Sequence, residues 1–263
     1  MIKLVATDID GTILALDREF TDGVKECIRK LSDNGIKVVL VTGRMNAAAQ
    51  LIAKKLNLDT PLVSYQGGLI KEGEHTLYEQ YLTEEQASKI LKWAKEINIH
   101  VNFYNNDILY SESDNEEIKR YASSQNISYV VKSLDTIKKD KVNKILAINY
   151  NAPEEIDRYE EELPKIFPEL YIVKSSPYFL EFSNKQASKY CAVKFLQKYW
   201  GLQDNEILTI GDQNNDIALL EAGGVKVAMG NATDKLKNVA DYVTDTVYND
   251  GFVKAIEKFC PQL

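Results

Sequence analysis

The chain has 263 residues, 44% hydrophobic and 27% charged, which suits one large globular domain or two modest ones with ample core. Its 32 basic and 39 acidic residues give a formal net charge of -7, which argues against a general binder of nucleic acid or of an anionic membrane. A phosphorylated substrate stays compatible, because a site can be locally positive in an acidic protein.

The first stretch, Lys3 to Thr12, is an apolar run ending in Asp8-Ile9-Asp10-Gly11-Thr12. It reads as a buried strand entering a tight turn. Thr21 can cap a helix to about Leu31, with Val24, Cys27, Ile28 and Leu31 on one face, ended by Asn34-Gly35. Residues 36–41 form a second buried strand that stops at Thr42-Gly43-Arg44. A helix from about Asn46 to Leu56 and a short strand at 62–64 follow. This alternation implies a parallel sheet with helices on its faces, an α/β fold. Gln66-Gly67-Gly68 is a turn, and a hairpin follows around Glu72-Gly73-Glu74.

From Thr83 the pattern changes. Thr83-Glu84-Glu85-Gln86 reads as a capping box. Strands are expected at His100–Tyr104, Ile108–Ser111 and Lys144–Tyr150, helices near Asn115–Ser124 and from Pro153, and a hairpin at Leu170–Val173 and Phe179–Phe182. Residues 83–187 are therefore expected to be an inserted α/β domain, and 1–82 with 188–263 the core. The first pattern then returns. A helix at Ser188–Trp200 leads to a buried strand at Glu206–Ile210, which ends in Gly211-Asp212-Gln213-Asn214-Asn215-Asp216. A short helix, a strand to Met229 and a closing helix at Phe252–Phe259 complete the chain.

Three strands of the expected parallel sheet thus end in polar clusters, and ligands of open α/β sheets lie beyond the carboxyl ends of the strands. Alone, Asp10-Gly11 is a common turn and Thr42-Gly43-Arg44 an ordinary helix start. Together they favour a site. Asp8, Asp212 and Asp216 supply carboxylate oxygens without His or Cys at ligand spacing, which fits Mg²⁺ best. The Thr42 hydroxyl and the Gly43 N–H can hold an anion. Acids, a divalent cation and anion donors suit phosphoryl transfer, in which an aspartate can be the nucleophile.

These stretches, with Ala187-Ser188-Lys189, Gly230-Asn231 and Asn249-Asp250-Gly251, resemble the haloacid dehalogenase superfamily, and within it the Cof-type sugar-phosphate phosphatases. The resemblance implies a Rossmann-like, doubly wound core with a large inserted α/β cap. It implies that Asp8 is the nucleophile and a Mg²⁺ ligand, and that Asp10 is the general acid and then base, its carbonyl a second ligand. Asp212 would be the third ligand, with Asp216 supporting or joining the shell. Thr42, Gly43 and Lys189 would hold the phosphoryl group, assisted by Asn215. This sequence departs from the family at Gln66, where relatives carry Asn, and at Tyr190, where they carry Gly.

Candidate cap contacts are His100, Asn102, Tyr104, Asn105 and Asn106, although Asn105-Asn106-Asp107 reads more simply as a hairpin turn. The expected function is a Mg²⁺-dependent phosphatase of small phosphorylated metabolites, sugar phosphates or nucleotide-like cofactors. The alternatives are a phosphomutase or phosphotransferase, or a phospho-ligand sensor without turnover. Cys27, Cys191 and Cys260 are scattered and no apolar leader is visible, so a reduced, cytoplasmic protein without membrane or nucleic-acid partners is expected, monomeric or weakly self-associating.

Overall fold

The computed structural model describes residues 1–15 and 20–261; Gln262 and Leu263, the last of the expected core segment, lie outside them. The chain divides into two compact units, Met1–Tyr78 with Lys189–Leu263, and Glu79–Ser188.

The first unit opens with β1 (Leu4–Thr7), α1 (Asp22–Asp33), β2 (Lys37–Leu40), α2 (Asn46–Lys55) and β3 (Leu62–Ser64). Antiparallel β4 (Leu69–Glu72) follows, and then β5 (His75–Glu79). In α1 the Thr21 hydroxyl accepts from Val24 N at 3.1 Å, and the expected face of Val24, Cys27, Ile28 and Leu31 is buried.

The second unit contains α3 (Glu84–Glu96), β6 (His100–Asn105), β7 (Ile108–Ser111), α4 (Glu116–Gln125), β8 (Tyr129–Val131) and α5 (Leu134–Ile137). Then come β9 (Lys144–Ile148), α6 (Pro153–Ile166), β10 (Leu170–Ser176) and β11 (Phe179–Asn184). Its sheet runs β10-β11-β9-β6-β7-β8, antiparallel except for β7 and β8. Val101, Phe103, Ile145, Ala147, Leu180 and Phe182 pack with Ile90, Ala94 and Ile156 into one core. Alternate strand residues point the other way, and among them Lys144 and Glu181 form a buried ion pair at 2.5 Å. The α3 capping box is present. Asn106 and Asp107 are both left-handed, the two-residue hairpin turn that the sequence suggests.

The chain re-enters the first unit as α7 (Lys189–Trp200), β12 (Ile207–Gly211), α8 (Ile217–Glu221), β13 (Val225–Ala228), α9 (Asp234–Lys237), β14 (Tyr242–Val243) and α10 (Gly251–Phe259). The main sheet is parallel, in the order β14-β13-β12-β1-β2, and Val41 bridges in parallel to Val63 of β3. Val5, Val38, Leu40, Leu208 and Ile210 face a core shared with α1, α2 and α10. Leu4, Ala6, Val39 and Ile207 face a second core against α7 and α8. Both faces are covered, which is why these strands read as unbroken apolar runs. The sheet is the expected doubly wound α/β type. Its order reverses at β1, so the crevice beyond β1 and β12 is where such a sheet takes a ligand. Among the described residues no helix is long and apolar enough to cross a membrane.

Candidate active site

At the end of β1, Asp8 is held by its backbone N–H to Ile210 O at 3.0 Å, and its side chain is nearly buried. One carboxylate oxygen each from Asp8, Asp212 and Asp216 lies within 4.8 Å of the others. Lys189 begins α7, is fully buried, and donates to Asp8 Oδ1 and Asp216 Oδ1, both at 2.6 Å. The second oxygen of Asp216 accepts from the backbone of Asp212 at 2.9 Å and of Gln213 at 3.0 Å, so this carboxylate shapes the loop after β12. Asp212 accepts from the Thr12 hydroxyl at 3.0 Å and from Gln213 Nε2 at 2.9 Å. Gly11 has φ +80°, and a Cβ there would collide with the Asp212 carboxylate. Asn231 braces the same turn, donating to Gly11 O at 2.9 Å while accepting from Val247 N at 2.9 Å.

Asp10 turns to a different partner. Arg44 grips it with Nε to Oδ2 at 2.7 Å and Nη2 to Oδ1 at 2.6 Å. Thr42 is buried and accepts from Arg44 N at 3.2 Å. The Thr42 and Arg44 carbonyls accept from Gln66 N at 3.0 Å and Tyr65 N at 2.9 Å. Tyr65 and Gln66 are both left-handed, with φ of 51° and 60°. Each such residue costs on the order of 1–3 kcal/mol, and surrounding bonds must hold it there. Gln66 is buried and accepts from Asn215 Nδ2 at 3.1 Å, while Asn215 Oδ1 is buried with no hydrogen-bond partner. Tyr190 is 41% exposed, with the Lys194 ammonium 5.8 Å from its ring centre, so it does not crowd the buried Lys189.

Burial pushes the Asp8 carboxyl well above the usual carboxylate range; Lys189 opposes this, and Asp216, Asp212 and Asp10 add to it. Burial, reinforced by Asp216, likewise raises Asp212 to about 7, against hydrogen bonds from Gln213 and Thr12. Burial works against the Lys189 ammonium, but Asp216 and Asp8 outweigh it and raise its pKa. Three carboxylates against one ammonium leave excess negative charge in a buried place. A divalent cation would offset it, and an all-oxygen donor set is what hard cations take.

A family profile for haloacid dehalogenase-like hydrolases matches residues 5–256. The chain belongs to the haloacid dehalogenase superfamily. It is 30% identical over 258 residues to a 5-amino-6-(5-phospho-D-ribitylamino)uracil phosphatase of Bacillus subtilis, covering 97% of this chain and 94% of that one. It is also 30% identical over 262 residues to a phosphoglycolate phosphatase of Methanobrevibacter smithii, covering 98% of both. A Thermotoga maritima protein of known crystal structure superposes with a TM-score of 0.82 at 33% identity, covering 98% of this chain and 97% of that one. The protein is a phosphatase of this superfamily, acting on a phosphorylated substrate.

Of the residues singled out in the sequence, Asp8, Asp212, Asp216 and Lys189 converge directly on one another. Asn215 reaches Gln66, and Thr42 is tied through its loop to the same residue. Asp10 is turned to Arg44. In the second unit, His100 Nε2 bonds Asn102 Oδ1 at 2.8 Å and its Nδ1 bonds Asn115 Nδ2 at 2.9 Å. Tyr104 meets the Tyr121 hydroxyl. The sequence pattern assigns no role to Thr12, Asn231 or the Arg44 side chain. Their partners lie 200, 220 and 34 residues away, so only the fold discloses them.

Proposed function

We propose that this phosphatase hydrolyses small phosphate monoesters in two steps, by way of a phosphoryl group carried on Asp8, with Mg²⁺ as its cofactor. The observation that carries this reading is the buried Asp8 carboxylate, bonded at 2.6 Å to Lys189 and grouped with Asp212 and Asp216. In the first step an Asp8 oxygen bonds to phosphorus, and Asp10 gives a proton to the departing alcohol. In the second, water attacks phosphorus, Asp10 takes its proton, and Asp8 is released. Lys189, the Thr42 hydroxyl and the Gly43 N–H hold the phosphoryl oxygens, with Asn215 assisting. The carboxylates of Asp8 and Asp212 and the carbonyl of Asp10 would hold the ion. Asp216, whose oxygens are engaged by Lys189 and two backbone N–H groups, orders this shell. Bound Mg²⁺ supplies positive charge that offsets the repulsion between Asp8 and the phosphoryl oxygens.

We assign substrate selection to the second unit, in which residues 83–187 are the inserted cap expected from the sequence. It is a compact unit with a sheet and a core of its own, which supports that assignment. Relatives act on a ribitylaminouracil phosphate and on phosphoglycolate, both small polar monoesters. A sugar phosphate or a nucleotide-like cofactor phosphate is therefore the substrate class proposed here. Phosphate release from a panel of such esters, with and without Mg²⁺, for wild type and Asp8→Asn, tests the reading. Mg²⁺-dependent release that disappears in the variant is expected. Release at the wild-type rate from Asp8→Asn overturns it.

A further inference from the structure

The mechanism above leaves the Arg44 side chain without a task, yet this residue makes the most directional contact of Asp10. Two N–H groups of one planar guanidinium meet the two oxygens of one carboxylate, at 2.7 and 2.6 Å. Such a fork fixes the plane of the carboxylate as a single donor does not. The Asp10 side chain is 53% exposed and that of Arg44 only 13%, so Arg44 is the anchor and Asp10 the group held. The Arg44 backbone is fixed in turn by Thr42 Oγ1 at 3.2 Å and by Tyr65 N at 2.9 Å. Each Asp10 oxygen uses one lone pair on the fork and keeps another for a further proton. The fork therefore leaves Asp10 oriented and still open to a proton donor such as water.

We propose that Arg44 is the positioning residue for Asp10 in the hydrolytic half of the reaction, aiming the carboxylate at the water that attacks phosphoryl-Asp8. The inference rests on the two-step reading given above. In that step the water oxygen bonds to phosphorus and the bond from phosphorus to the Asp8 oxygen breaks. Its electron pair returns to the Asp8 carboxylate, the water proton passes to Asp10, and inorganic phosphate leaves.

The consequence is a split between the two half-reactions. Arg44→Ala slows release of phosphate from Asp8 and spares the transfer to it. A misplaced general base costs on the order of 100-fold, so kcat falls by about 10–100-fold. The value of kcat/KM, set by the first irreversible step, stays near wild type, and KM falls with kcat. Rapid quench of the variant shows a stoichiometric burst of alcohol and phosphoprotein, and its kcat becomes the same for alkyl and aryl esters. Arg44→Lys keeps the charge without the fork and shows the same split. Free guanidinium ion restores part of kcat to the Ala variant. The proposal is overturned if kcat/KM falls together with kcat and no burst appears, or if Arg44→Ala turns over at the wild-type rate. Asp8→Asn in the Arg44→Ala background separates the two readings. Phosphoprotein that persists there refutes phosphoryl transfer to Asp8, whereas its loss leaves the burst to judge Arg44.

Discussion

Replacing Lys189 with Met keeps a long flexible side chain at the start of α7 and removes the ammonium. Lys189 is fully buried and lies 2.6 Å from both Asp8 Oδ1 and Asp216 Oδ1. Deleting one partner of a buried ion pair costs about 3–5 kcal/mol, because the remaining charge is left uncompensated. Asp216 and Asp8 raise the folded pKa of Lys189 above its unfolded value near 10.5 despite its burial. A raised base stabilises fully below its unfolded pKa, so the whole contribution is present at neutral pH. In the variant, Asp8 escapes the penalty by taking a proton. The destabilisation is therefore largest near pH 8 and shrinks towards pH 5. A shift of about 2–4 °C per kcal/mol for a protein of this size gives a Tm loss of about 6–20 °C at pH 8. Thermal unfolding in chelator at the two pH values measures it. A variant within about 1 kcal/mol of wild type at pH 8 refutes the reasoning, and so does an equal loss at both pH values. Turnover is expected to fall by about 100–1,000-fold, the scale for losing one preorganised charge-stabilising donor.

Metal-free protein is expected to lose stability as pH rises from about 4 towards 7. Asp212 is raised from 3.8 to about 7 by burial and Asp216, so the folded state binds more protons than the unfolded one across that window. Mg²⁺ requires the ionised carboxylates, so its stabilising effect grows with pH; a Tm increment independent of pH would contradict this. Gly11→Ala forces a left-handed alanine whose Cβ meets the Asp212 carboxylate. It is expected to cost about 2 kcal/mol or more and to raise the Mg²⁺ concentration needed for half-maximal activity. An unchanged Mg²⁺ titration counts against the placement of Asp212. Asn231→Ala removes the brace between Gly11 O and Val247 N, with an expected loss of about 1–3 kcal/mol in urea unfolding.

The α/β architecture was readable because β1, β2 and β12 are covered on both faces and therefore appear as continuous apolar runs. The Thr21 and Thr83 caps are local signals, and both form. β8 and α5 leave no signal in the sequence pattern. β8 is a three-residue edge strand, mostly exposed, and α5 is a single turn, so neither has room for a periodicity. Asp8 and Asp212 stood out because acids end apolar strands. Lys189 did not, since one lysine in a helical stretch is ordinarily solvated, and only the family resemblance raised it. The fork of Arg44 on Asp10 joins two turns that the sequence shows separately. The left-handed pair Tyr65-Gln66 was hidden by Gly67-Gly68, which accounts for a turn without any strained residue before it.

The central claim is that Asp8 carries the phosphoryl group. Borohydride reduces an acyl phosphate and leaves a free carboxylate untouched, so quenching with borohydride during turnover marks the residue that was phosphorylated. Peptide mass spectrometry is expected to find reduction at position 8, dependent on both substrate and Mg²⁺. Active enzyme that yields no reduced residue, or yields one elsewhere, would contradict the account.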